Sequence, residues 1–225
     1  MTTEIAKKAV VQIIGGGCRG FIVGAGGERF VITVAHSAPH DRLPAPYLAN
    51  SSELTFDGVI GPLFSEQGTI TAELCVYSLV DDIAVFGAPD TPDDLYECAE
   101  YEQFTATAAM TVGKLPDRTA PPKPHPSSAA FNPWLEERQR HDAHTEAAFI
   151  LSLDGKWKPC TVRYGGRYLM ICEGADQIRS GMSGSPIIDI NGDAIGLVST
   201  RGEKGNLNPS LIDCLPPWLL RKLGR

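Results

Sequence analysis

The chain has 225 residues and a net charge of −7, with 43% apolar and 21% charged residues. That length holds one large domain or two of about 100 residues, either with a real core, and the negative charge gives no electrostatic reason to expect nucleic acid or an anionic membrane as partner. Glycine (23) and proline (17) make about 18% of the chain, above the usual total of roughly 12%, which points to many short strands joined by turns.

The opening stretch, MTTEIAKKAVVQIIGGG, has no sustained apolar core followed by a small-residue cleavage site, so no signal peptide is expected. No run reaches the roughly 18 apolar residues of a membrane span. Six cysteines, at positions 18, 75, 98, 160, 172 and 214, show no C-x-x-C spacing. Without an export signal they read as reduced thiols, not as a disulfide framework or a zinc site, and a cytoplasmic location is the expectation.

Period-two alternation and β-branched content predict strands over 9–14, 20–23, 29–34, 69–79 and 83–86. Further strands are predicted over 104–112, 147–153, 159–164, 168–172, 186–190 and 194–200. Asn191-Gly192 is a strong hairpin signal because both residues tolerate φ > 0, and Asp154-Gly155 and Gly165-Gly166 mark two more turns. Between Gly113 and Glu146 the run KLPDRTAPPKPHPSSAAFNPW is too rich in proline for regular pairing and reads as a long connection, with a helical stretch over Trp134–Arg140. The tail LPPWLLRKLGR reads as a terminal helix begun by Pro216-Pro217, with Trp218, Leu219 and Leu223 on one side. Short strands at this spacing indicate barrels or sandwiches.

The segment IRSGMSGSPI (Ile178–Ile187) offers Ser183 as a nucleophile. A serine needs a base, and the base needs an acid to fix its tautomer. All five histidines (36, 40, 125, 141 and 144) precede Ser183, which excludes the α/β-hydrolase order, and GMSGS lacks the last glycine of the G-x-S-x-G elbow. No aspartate precedes His36, so a subtilisin-like order fails as well. The order left is His, Asp, Ser. His36 ends the apolar strand FVITVAHS, where backbone rigidity suits a general base. Asp82, in VDDIAVF, is the candidate acid, with Asp81 as its competitor. His141, Asp142, His144 and Glu146 offer metal-ligand types, but a charged, proline-rich stretch reads first as a solvated face, and neither metal nor cofactor is expected.

In that order, VITVAHS, DDIAVF and GMSGSPI resemble the three catalytic signatures of the chymotrypsin/trypsin-like serine peptidases. Asp82 follows His36 by 46 residues and Ser183 follows Asp82 by 101, both close to the family's pattern. GLVSTRG (Gly196–Gly202) looks like the family's strand that supports the triad aspartate and pairs with substrate. The resemblance implies an all-β fold of two six-stranded antiparallel barrels with a C-terminal helix. Residues 1–100 would form the barrel carrying His and Asp, and 101–146 an inter-barrel connection with the proline-rich insertion. Residues 147–225 would complete the barrel carrying Ser and add the terminal helix.

It further implies a serine endopeptidase acting on peptides or proteins without a cofactor. Ser183 would attack, His36 act as base and then acid, Asp82 hold the imidazole, and the N–H groups of Gly181 and Ser183 form the oxyanion hole. Ser199 would hydrogen-bond Asp82. Gln177 would sit at the base of the primary pocket, with Asp176 one residue away, and Ser199, Thr200 and Arg201 along the substrate. No acid at 177 argues against a strict Lys/Arg preference, while Arg201 either narrows the pocket or attracts an acidic residue. The chain looks more like the intracellular bacterial members than the secreted ones, since Ser37 stands where secreted relatives carry a cysteine. Met182 replaces the aspartate that pairs with a cleaved N-terminus, leaving the oxyanion loop without its usual anchor and raising the expectation of an activating protein partner. The alternative is a catalytically silent barrel that binds a peptide or protein in the same groove.

Overall fold

In the computed structural model, residues 3–38, 54–67, 69–90, 95–114, 145–199 and 206–225 are described, with isolated positions 129 and 133. Thr200, Arg201 and the expected Trp134–Arg140 helix lie outside the described residues.

Six strands, β1 (Val10–Ile13), β2 (Cys18–Ala25), β3 (Glu28–Thr33), β4 (Thr55–Pro62), β5 (Ile70–Ser78) and β6 (Ile83–Gly87), close into an antiparallel barrel in the order β1-β2-β3-β6-β5-β4. A glycine turn joins β1 to β2, with Ile13 opposite Cys18. Alternation drives the closure. On β5, Ile70, Ala72 and Leu74 point inward, a bulge follows Leu74, and Tyr77 resumes the inward row. Inside the barrel Phe56 and Phe86 meet edge to face at 6.1 Å, a geometry that adds about 0.5–1.5 kcal/mol to their burial.

The second sheet runs β11-β10-β7-β8-β9-β12, from β7 (Glu146–Leu151), β8 (Trp157–Gly165), β9 (Tyr168–Glu173), β10 (Pro186–Asp189), β11 (Ala194–Leu197) and β12 (Asn206–Pro209). A single bridge between Gly196 and Ser210 links its two ends, so this barrel is nearly closed. Helix α1 (Thr3–Lys8) precedes the first barrel, and α2 (Leu95–Thr105) follows it. Two short helices, α3 (Leu211–Cys214) and α4 (Pro217–Lys222), end the chain. Leu219 of α4 is fully buried, while Trp218 remains partly exposed and meets Phe30 of the first barrel edge to face. No described helix is long and apolar enough to cross a membrane.

The expected strand over 104–112 is not one. Phe104 and Thr105 end α2, where Thr105 Oγ1 bonds back to the Tyr101 carbonyl at 2.8 Å. Beyond it only Met110 and Val112 pair, as single parallel bridges to Val23 and to Ala194. Alternating Phe104, Ala106, Ala108 and Met110 imitates a strand, but the stretch ends a helix and then passes from one barrel to the other.

The barrels meet closely at Gly184. Its φ is +79°, and a Cβ there would lie 1.7 Å from the carbonyl oxygen of Arg19 on β2. Only glycine permits that approach. Gly184→Ala is expected to lower stability by about 2–5 kcal/mol, combining left-handed backbone cost with overlap against main chain. Urea denaturation measures it, and a change below about 0.5 kcal/mol contradicts this account of the interface.

Candidate active site

Thr33 ends β3, and the chain turns through a 3₁₀ segment, Ala35–Ser37, that carries His36 out of the barrel wall. Ser37 Oγ bonds the Val34 carbonyl at 2.8 Å and lies 3.2 Å from Thr33 Oγ1, so the turn is fixed from within the barrel. The imidazole is 41% exposed.

Asp82 lies in the turn just before β6 with a φ of +52°, a left-handed conformation that aspartate tolerates better than most residues. That turn aims its carboxylate at His36. Nδ1 of His36 lies 3.0 Å from Oδ1 and 2.9 Å from Oδ2, and the His36 backbone N–H donates to Oδ1 at 3.0 Å. Asp81 points elsewhere. It receives Arg167 Nε at 3.0 Å and Nη2 at 2.5 Å, pinning the β5–β6 turn to the β8–β9 turn, and it exchanges hydrogen bonds with Ser78. Of the two aspartates, Asp82 faces the histidine and Asp81 faces Arg167.

Ser199 follows β11 and is almost buried. Its hydroxyl donates to Asp82 Oδ2, its backbone N–H donates to Asn208 Oδ1 at 3.1 Å, and its carbonyl accepts from Ser183 Oγ at 3.3 Å. One residue of the second barrel thus touches the acid and the serine together. Ser183 lies in the loop before β10, and its own carbonyl accepts from the Arg19 N–H of β2 at 2.8 Å.

In the same loop Gly181 has a φ of +88°, and a Cβ there would be 3.5 Å from Leu153 and 3.7 Å from the Gly17 carbonyl. The loop is therefore caged between the β7–β8 turn and the β1–β2 turn. Neither the Gly181 nor the Ser183 N–H donates to a carbonyl or side chain among the described residues, whereas the N–H groups of Met182, Gly184 and Ser185 are all engaged. Two N–H groups without a partner among the described residues, one of them on Ser183 itself, suit an oxyanion. Met182 is 0% exposed and packs among Ile178, Ile187 and Val198 of the second core, with its sulfur 3.3 Å from the Arg179 N–H. The loop that lacks the family's ionic anchor at this position has a buried apolar side chain there.

Gln177 ends the 3₁₀ turn Ala175–Gln177, and its side-chain amide donates to the Pro159 carbonyl of β8 at 3.3 Å. The backbone carbonyl of neighbouring Asp176 accepts from Arg179.

Electrostatics follow from the contacts. Hydrogen bonding to the Asp82 carboxylate, and then to the Cys18 side chain, raises the His36 pKa to about 10 against the opposing effect of burial. Burial pushes the Asp82 carboxyl up, but the donors of His36 and Ser199 outweigh it and hold the pKa below the usual value. The sign for folding is fixed: the histidine contribution is complete below the unfolded pKa near 6.5 and is lost as pH rises through about 10. The aspartate contribution is present above its unfolded pKa and is lost on acidification.

Sequence reasoning passed over three supporting residues. Asn208 orients Ser199, and its signal was only an Asn-Pro dipeptide in a polar stretch. Thr33 Oγ1 holds the Arg19 carbonyl at 2.6 Å. Arg19 is 2% exposed within β2, and a charged residue inside the apolar run CRGFIV was the one visible sign.

Titration of the His36 imidazole by NMR is expected to give a pKa near 10 in the wild-type chain, falling toward 6.5 in Asp82→Asn. A wild-type value near 6.5 contradicts the pairing.

No protein-family model matches the chain, and no curated protein sequence matches it. Solved structures do. The Rv3671c protease of M. tuberculosis in its active form superposes with a TM-score of 0.50 at 14% identity, over 99% of this chain and 84% of that one. The serine protease of a human pathogenic astrovirus gives a TM-score of 0.46 at 16% identity, over 93% and 94% of the two chains. The serine endoprotease of Yersinia pestis gives 0.48 at 13% identity, over 99% and 66%. The chain has the double β-barrel fold of the chymotrypsin/trypsin-like serine proteases.

Proposed function

We propose that this protein is a serine endopeptidase in which Ser183 is the nucleophile, His36 the general base and acid, and Asp82 the orienting carboxylate. One observation carries the reading. Asp82 takes donors from His36 on one side and Ser199 on the other, while the Ser199 carbonyl takes the Ser183 hydroxyl. Three segments far apart in the chain are thereby joined through one hydrogen-bonded path. The fold shared with a protease solved in its active form agrees with the reading.

In this mechanism the Ser183 hydroxyl turns from the Ser199 carbonyl to the imidazole Nε2 and attacks the peptide carbonyl carbon. Its proton passes to Nε2, and the charge that forms on the ring is stabilised by Asp82 across Nδ1. The N–H groups of Gly181 and Ser183 receive the oxyanion; loss of one such donor typically costs about 10²–10³ in rate. Collapse expels the amine, which takes the proton from Nε2, and water then releases the acyl group by the same steps in reverse.

A base must be unprotonated to act, and the carboxylate that orients this imidazole also favours its charged form. Activity in the free enzyme therefore rises with pH across the alkaline range and falls as the ring protonates below about 10. Gln177 brings no charge to its site and is tied to Pro159, so a small or uncharged residue on the acyl side of the cleaved bond is the preference this reading carries.

Cleavage of an unbiased peptide library is the test. The wild-type chain is expected to cut after small or uncharged residues, faster at pH 9 than at pH 7, and Ser183→Ala is expected to lose on the order of 10⁶ in kcat. Equal cleavage by Ser183→Ala, or no cleavage at any pH, refutes the proposal, and strict cleavage after Lys or Arg refutes the preference.

A further inference from the structure

We propose that Arg19 is a positioning residue, an internal latch that holds the nucleophile loop in its working shape by clamping the β7–β8 turn against it. The proposal rests on the serine peptidase reading of the same site. Arg19 lies in β2, and its main chain already borders the loop: its N–H donates to the Ser183 carbonyl at 2.8 Å, and its carbonyl abuts Gly184. Its side chain crosses to the other barrel. Nη1 donates to the carbonyls of Leu151 and Ser152, each at 3.0 Å, and to Ser185 Oγ at 3.4 Å, while Nη2 donates to the Leu153 carbonyl at 3.3 Å. The ring of Phe64 covers the guanidinium at 5.6 Å.

These contacts are unusual in their chemistry. A buried cation normally takes a carboxylate, because removing a charge from water costs several kcal/mol unless it is paired. Here, among the described residues, the charge is met by three consecutive carbonyl dipoles, a hydroxyl and an aromatic face. Burial pulls its pKa down, but a guanidinium stays charged in proteins. Three carbonyls of one turn converge on one fork only if the turn is held in that form. Ser152 sets it internally by donating to the Lys156 carbonyl at 2.6 Å.

The consequence reaches the proposed oxyanion donors by contact. Leu153, whose carbonyl Arg19 holds, is the residue nearest the missing Cβ of Gly181. Ser185, two residues beyond the nucleophile, is held by the same Nη1. Arg19 therefore grips both ends of the Gly181–Ser185 segment, from the turn beside it and from within it. Met182, buried in the second core, holds the same segment from beneath. Lysine in the same place keeps a point charge but cannot serve separated acceptors as a planar fork does.

The test uses the full chain with Arg19→Met and Arg19→Lys. Two readouts are taken: the acylation rate by a fluorophosphonate, and hydrogen exchange at the amides of 181–185 against Ile150 and Val162 in β7 and β8. Arg19→Met is expected to acylate about 10²-fold more slowly, with the apparent pKa of acylation unchanged because His36 and Asp82 are untouched. Exchange over 181–185 is expected to quicken at least about tenfold, with Ile150 and Val162 within about threefold of wild type. Arg19→Lys is expected to recover at least about tenfold of the lost acylation rate, and it carries the test alone if Arg19→Met does not fold. Acylation by Arg19→Met within threefold of wild type overturns the proposal. So does exchange that quickens equally at Ile150 and Val162, or a lysine variant no better than the methionine one. If the wild-type chain is not acylated, the peptidase reading fails, and the exchange comparison still decides whether Arg19 holds the loop.

Discussion

The hydrogen bonds at Ser199 are what the site depends on. His36 and Asp82 belong to one barrel and Ser183 to the other; Ser199 joins them, its hydroxyl donating to Asp82 of the first barrel and its carbonyl accepting from Ser183 of its own. Asp82 is a partly buried carboxylate, and burial opposes its charge. Three donors, two from His36 and one from Ser199, reverse that balance. A satisfied, ionised Asp82 then fixes the tautomer of His36 with the proton on Nδ1, leaving Nε2 for the serine. The same carboxylate raises the pKa of the ring to about 10, so the neutral form that leaves Nε2 open to the serine is gained only as pH rises toward that value.

Around this junction the Ser183 loop is held by unlike means on its two sides. Met182 sinks into the second core, and Arg19 reaches across from the first barrel to the carbonyls beside the loop. A side chain that loses its apolar contacts and one that loses its dipoles fail differently, the first by loosening the core and the second by releasing a turn. Gly184 makes the crossing feasible, because Arg19 main chain occupies the space any side chain would need.

Much of this was legible in the sequence because strands with one buried face must alternate, and turns with φ > 0 need Gly or Asn. The first barrel's β2, β3, β5 and β6 and the second barrel's β7 to β11 carry those signals. β4 does not. Its sequence TFDGVIGP contains residues that strands avoid, because Gly58 takes a φ of +59° at an irregularity in the pairing with β5. β12 is equally silent, since Asn206–Pro209 sits on the sheet for the sake of Asn208, whose amide serves Ser199. Helix α2 was misread because it buries little beyond Tyr101 and Thr105 and so has no clear apolar stripe. At the site, motif order and resemblance pointed to His36, Asp82 and Ser183, with Asp81 as a competitor because adjacent aspartates look alike in a sequence. In the structure Asp82 meets His36 and Ser199, while Asp81 is held by Arg167 from a distant turn. Arg19 stood out only as a charge inside an apolar run, and its partners could not be read because most are backbone carbonyls, which every residue has.

The central claim is that one hydroxyl among several nearby, Ser183 and not Ser180, Ser185 or Ser199, is made nucleophilic by the junction. Mass mapping of the intact chain after treatment with a fluorophosphonate tests that claim most directly. The account predicts a single adduct on the peptide carrying residues 180–189, localised to Ser183 by fragmentation and absent in Asp82→Ala under the same exposure. An adduct on Ser180, Ser185 or Ser199, or modification that survives the loss of Asp82 undiminished, contradicts it.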